Sequence, residues 1–122
     1  MNKRPNRTDR RYDQPAFPLE DVVALAVRSF VLVEGKASRE AAEFLGDEIV
    51  SIRNEIIEIL KGLCIEEWRF CQVKNGEWVD VYRVGVYEDW PDAWIKVRIE
   101  CPKGYEAVAV ISFHEWDDAR ET

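Results

Sequence analysis

The sequence predicts an α+β domain in which N-terminal helices pack on one face of a mainly antiparallel, four-stranded C-terminal sheet. Three observations carry this prediction. Apolar residues recur at helical spacing up to about residue 63; after residue 65 they alternate, and β-branched and aromatic residues dominate. Asn75-Gly76 sits between two alternating runs, and this dipeptide readily takes the positive φ angles of a type I′ hairpin turn. Finally, 122 residues, 47% of them hydrophobic, suffice for one buried core and not for two.

The elements follow in order. Residues 1–12 hold Lys3, Arg4, Arg7, Arg10 and Arg11 against Asp9, a net +4, so the total of −7 leaves −11 on residues 13–122. Residues 1–16 are polar and without periodicity, and are expected to form a disordered basic arm. A single domain is expected over 17–118, with a tail at 119–122. Pro15 and Pro18 close the arm, and Leu19, Val22, Val23, Ala26, Val27 and Phe30 predict a first helix running until Gly35. Residues 38–45 predict a second, with Ser38 as N-cap and Gly46 as its stop. Asp47 is the expected cap of a third, striped by Ile49, Ile52, Ile56, Ile59, Leu60 and Leu63 and ended by Gly62. Strands are expected at 67–73, 77–87, 93–100 and 105–114, joined as a meander.

Charge and composition narrow the function. No run approaches the roughly 20 apolar residues of a membrane-spanning helix, and no apolar signal segment follows the basic N-terminus, so a soluble cytoplasmic protein is expected. Cys64, Cys71 and Cys101 form an odd set without C-x-x-C spacing, and His114 is the one imidazole. Neither a disulfide framework nor a zinc site is expected, and no metal or other cofactor is implied; the thiols should be reduced and mostly buried. An acidic body repels phosphate backbones, so any RNA site must be a local basic patch.

Strand alternation suggests where that patch lies. In 93–100, Ile95, Val97 and Ile99 should face the helices, and Trp94, Lys96, Arg98 and Glu100 should face away. In the last strand Ala107, Ala109, Ile111 and Phe113 alternate with Val108, Val110, Ser112 and His114. With the first of these sets on the core face, Ser112 and His114 join Trp94, Lys96 and Arg98. The strand before them is ambiguous: Trp78, Tyr82, Val84 and Val86 alternate with Val79, Val81, Arg83 and Tyr87, and either set fits a core. Metal-free RNA cleavage needs a base for the ribose 2′-hydroxyl, cations for the phosphorane and an acid for the 5′-oxygen. His114 suits acid or base work near neutral pH, and Lys96, Arg98, Arg83 or Arg69 supply positive charge. Trp94 offers a face for a base. The plainer reading is a surface histidine among solvated cations.

Several motifs resemble the MqsR family of toxins from bacterial type II toxin–antitoxin modules, within the RelE-like endoribonucleases. They are the helical run 37–46, Trp78-Val79-Asp80-Val81-Tyr82-Arg83, Ile95-Lys96-Val97 and Ile111-Ser112-Phe113-His114-Glu115. The family shows W-Q-D-V-Y-R, then an aromatic followed by L-K-I, then S-F-K-E, in the same order and spacing over about residues 18–116. The resemblance implies a RelE-like fold and a metal-free mRNA interferase, held inactive by a cognate antitoxin. The family's catalytic positions fall on Arg69 in place of Lys, Val79 in place of Gln, Trp94 in place of Tyr and His114 in place of Lys. It also implies that Val79 and Trp94 share a side of the sheet, which turns Arg83 outward. His114, Arg69 and Lys96 are then the expected catalytic residues, and Arg83, Arg98, Trp94 and Tyr82 the expected substrate-binding residues. The alternative is a noncatalytic, toxin-like interaction domain that binds a basic partner through its acidic surface.

Overall fold

The computed structural model describes residues 9–46 and 50–117. Asp47 and Ile49, expected to cap and line the third helix, lie outside them, as do residues 1–8 of the arm and the tail at 119–122. Helix α1 spans Leu19–Val27 and buries Val22 and Ala26. It stops well before Gly35, because Ser29 takes a φ of 62° and turns the chain. Val31–Val33 then form a strand, β2, where the apolar spacing had suggested more helix. The correction has a physical reason: Phe30-Val31-Leu32-Val33 is apolar and partly β-branched, and it finds a strand edge to pair with.

Helix α2 covers Gly35–Leu45 and buries Ala37, Ala41 and Leu45, a stripe four residues apart. It begins after Glu34, a full turn earlier than a Ser38 cap would allow. Gly46 ends it with a φ of 89°, a conformation natural to glycine. Helix α3 covers Ile52–Lys61; its cap is Ser51, whose hydroxyl accepts the Asn54 N–H at 3.2 Å, and Gly62 ends it as expected.

The sheet holds six strands among the described residues, in the order β1-β3-β4-β5-β6-β2, and is mixed. Its centre is the expected antiparallel meander: β3 (Trp68–Lys74), β4 (Glu77–Val84), β5 (Ala93–Glu100) and β6 (Ala107–Glu115). Asn75 and Gly76, with φ of 54° and 78°, make the turn between β3 and β4. Two flanking strands extend the expected four. β2 pairs parallel to β6, Val31 beside Val108, and β1 (Arg10–Arg11) pairs antiparallel to β3. The segment expected to be a disordered arm thus contributes an edge strand.

One core lies between the helices and one face of the sheet, holding Val22, Ala41, Ile56, Leu60, Tyr82, Ile95, Val97 and Phe113. Tyr82 and Val84 face this core, so Val79, Val81 and Arg83 turn to the opposite face. In β6 the expected alternation fails. Val108 and Val110 face the helices, whereas Ala109 and Ile111 lie with Val79 on the other side. The cause is a bulge: the β5–β6 register shifts between Lys96 and Val97, which slips β6 by one residue around Ile111. Past the bulge Phe113 points to the helices and Ser112 and His114 away, as expected.

Asp80 is buried among apolar neighbours and ties the N-terminal segment down. Its carboxylate accepts the N–H groups of Ala16 (2.8 Å) and Phe17 (2.9 Å) and the Trp68 indole N–H (3.0 Å). Burial raises its pKa, and the three hydrogen bonds offset part of that rise. Cys71 is buried, while Cys64 and Cys101 are exposed free thiols, so the cysteines are less buried than expected.

Candidate active site

The face of the sheet away from the helices is a curled trough. Lys74 on β3 donates through Nζ to the Ser112 hydroxyl on β6 at 3.3 Å. Three steps of a flat sheet would hold those strands about 14 Å apart, so the sheet must curl for the contact to form. The floor is apolar: Val79, Ala109 and Ile111 are buried, with Leu32 packed against them.

The strand register aligns the candidates in rows. Val81, Lys96 and Ser112 form one row across β4, β5 and β6, and Arg83, Trp94 and His114 form the next. Lys96 and His114 are therefore diagonal neighbours, about 7–8 Å apart along the backbone. Lys74 has its pKa lowered, first by burial and then by the Lys36 ammonium beside it, with Glu40 and Glu34 pulling the other way. The imidazole of His114 lies nearly parallel to the Trp94 ring, 8° between planes and 6.3 Å between centroids, and Nδ1 lies 2.9 Å from the Glu115 carbonyl oxygen. Lys96 Nζ is 5.8 Å from the centre of the same Trp94 ring.

The seven sequence-derived residues fare differently. His114 and Lys96 lie on the trough face as diagonal neighbours, Lys74 reaches Ser112 on the same face, and Lys36 of α2 stands beside Lys74. Arg83 is on that face but is held by Asp92 (2.7 Å) and over the Trp116 ring (4.5 Å). Arg98 lies across the floor among three carboxylates, Glu34 (3.6 Å), Glu77 (3.3 Å) and Glu100. Its charge is compensated before any ligand arrives. Arg69 stands at the irregular start of β3 and donates to the carbonyls of Glu66 (2.8 Å) and Trp68 (3.3 Å). Trp94 faces the trough but is only 1% exposed, packed under Trp116 and beside Phe70. It fixes the imidazole plane and has no face open for a base. Tyr82 is a correction: it points into the helix-side core, fully buried, its hydroxyl without a hydrogen-bond partner among the described residues, and burial raises its pKa strongly.

Lys74 and Lys36 were missed by sequence reasoning. Lys74 ends a strand just before a turn, and only curling of the sheet brings it to Ser112. The signal available was its place at alternate spacing from Phe70 and Gln72.

On its other side His114 borders a cavity of about 790 Å³ between α2 and the end of β6, lined by Glu40, Glu43, Phe44, Glu115, Trp116 and Asp117. The imidazole thus stands between the trough and an anionic cleft, and Glu40 borders both. No group of His, Cys, Asp and Glu among the described residues is arranged to hold a metal, and no helix among them is long and apolar enough to cross a membrane. Compared with protein-family models, curated proteins and solved structures, the chain matches none of them.

Proposed function

We propose that the chain is a toxin-like endoribonuclease that cleaves RNA with its own side chains, a RelE-like enzyme of the kind its motifs resemble, with a cognate antitoxin as partner. The observation that carries the proposal is Lys74 reaching Ser112 from across the sheet, with Lys96 in the Ser112 row and His114 in the next, so that lysine, hydroxyl and imidazole share one face. A phosphodiester seated over Ser112 has the Lys74 ammonium at hand for its nonbridging oxygens, with Lys96 on the neighbouring strand in the same row. Such positive charge stabilises the extra negative charge of the phosphorane.

The reaction is a transesterification. The 2′-oxygen forms a bond to phosphorus as its proton passes to a base, and the bond to the 5′-oxygen breaks as an acid supplies a proton there. The products are a 2′,3′-cyclic phosphate and a 5′-hydroxyl. His114 is the group on this face suited to move a proton near neutral pH. Trp94 is its positioning residue. Arg83 and Arg98, already engaged with carboxylates, hold the trough in shape.

The test is single-turnover cleavage of a defined single-stranded RNA, with products read for the cyclic phosphate. His114→Ala and Lys96→Met should each lower the rate about 100-fold or more while leaving thermal unfolding nearly unchanged. Wild-type rates in both variants would refute the assignment. A second reading, a noncatalytic domain that binds a basic partner, is favoured by the carboxylate-lined cleft and is what stands if the wild-type protein leaves RNA intact.

A further inference from the structure

The cleft beside His114 continues into exposed aromatic side chains. Phe44 in its wall makes an edge contact with Trp90 at 5.8 Å, and Trp90 packs edge-on against Tyr87 at 4.8 Å. Trp90 is 43% exposed and Tyr87 37% exposed, large apolar rings left in water. They are not on a loose tip. The Tyr87 hydroxyl donates to Glu55 on α3 at 3.0 Å, Trp90 N–H donates to the Tyr87 carbonyl, and Asp89 turns the chain with a φ of 66°. Rigid Trp and Tyr side chains presented this way are the residue types that anchor protein interfaces.

The surroundings specify the partner's charge. Glu40, Glu43, Glu115 and Asp117 line the cleft, and Glu88 and Asp89 flank Trp90 in sequence. Phosphate and acidic protein are repelled there, as is a second copy of a chain carrying −7. We infer that the cleft and its aromatic margin dock a basic, amphipathic segment of another protein, with Lys or Arg in the cleft and an apolar side chain on Trp90 and Tyr87. Because His114 forms part of the cleft wall, the seated segment covers the imidazole. The surface borders the RNA trough at His114 and Glu40, but the inference rests on the carboxylates of the cleft and on Trp90 and Tyr87, and holds whether or not that trough is catalytic.

The experiment uses the full chain and two synthetic 12-residue peptides, one pairing Lys and Arg with Leu and Phe, the other with Glu and Asp replacing the cations. Binding is followed by intrinsic tryptophan fluorescence at low and physiological salt, with size-exclusion chromatography in parallel. The basic peptide should bind and the acidic one should not, with affinity falling as salt rises. Glu43→Lys and Trp90→Ala, both at exposed positions, should each weaken binding about tenfold without altering the fold. Equal binding of the two peptides, wild-type affinity in both variants, or a dimer that excludes the peptide would each overturn the inference. None of these readouts depends on cleavage, so loss of the nuclease reading and loss of this one are separable.

Discussion

Replacing Asp80 by alanine removes the one acceptor shared by three donors, and the cost follows from the geometry. The Ala16, Phe17 and Trp68 N–H groups lie 2.8, 2.9 and 3.0 Å from its oxygens, in a partly buried setting. A buried donor left without a partner costs about 1–3 kcal/mol. The two backbone donors regain water if the segment lifts away, so the lower figure applies to them, and the sum with the Trp68 indole is about 3–5 kcal/mol. That is a large fraction of a small domain's usual stability of about 5–15 kcal/mol. Urea unfolding followed by tryptophan fluorescence gives the loss directly, and limited proteolysis should show faster cutting between residues 9 and 17. A loss below about 1 kcal/mol with unchanged proteolysis would refute the latch. The pH dependence has a definite sign. Burial holds the Asp80 carboxyl above its ordinary value of 3.8, so its contribution is complete below that pH and is lost as pH rises through the folded-state value. The stability gap between wild type and Asp80→Asn should therefore narrow as pH rises across that window.

Other substitutions probe other joints. Trp94→Ala empties the space beneath Trp116 and beside Phe70 and His114, and should cost about 3–5 kcal/mol in chemical unfolding. Arg98→Met leaves Glu34, Glu77 and Glu100 facing one another without their cation, and should lower stability by about 1–3 kcal/mol at neutral pH, read as a drop in the urea midpoint. Ser51→Ala removes the hydroxyl that caps α3 and should cost about 1 kcal/mol by the same measurement.

Local signals account for what was legible in the chain. The Asn75-Gly76 turn, the Gly46 and Gly62 stops and the bounds of β5 each depend on a few neighbouring residues. The strand β2 was illegible because Phe30 continues the helical spacing of α1, while the partner that makes a strand of 31–33 lies at 108–110. The bulge at Ile111 was hidden for a related reason: both alternating sets of the last strand are apolar enough to be buried, and only cross-strand packing chooses between them. At the site, His114 and Lys96 were legible from alternation alone. Tyr82 was misjudged because its strand offered two equally apolar sets. Lys74 and the compensation of Arg98 depend on the curl of the sheet, which no short window encodes.

The parallel seam between β2 and β6 bears on how the molecule assembles. The β3–β4 hairpin closes over two residues, whereas Val31 meets Val108 only after most of the chain between them has been gathered in. Closing so long a loop carries a larger entropic penalty than closing the hairpin, and contacts distant in sequence form late. The ladder of the meander is then expected to form before the seam, an order that pulse-labelling hydrogen exchange during refolding reads. Helix α2 follows β2 directly and carries Lys36, Glu40 and Glu43, so one wall of both the trough and the cleft is attached to the element whose pairing spans the longest stretch of chain.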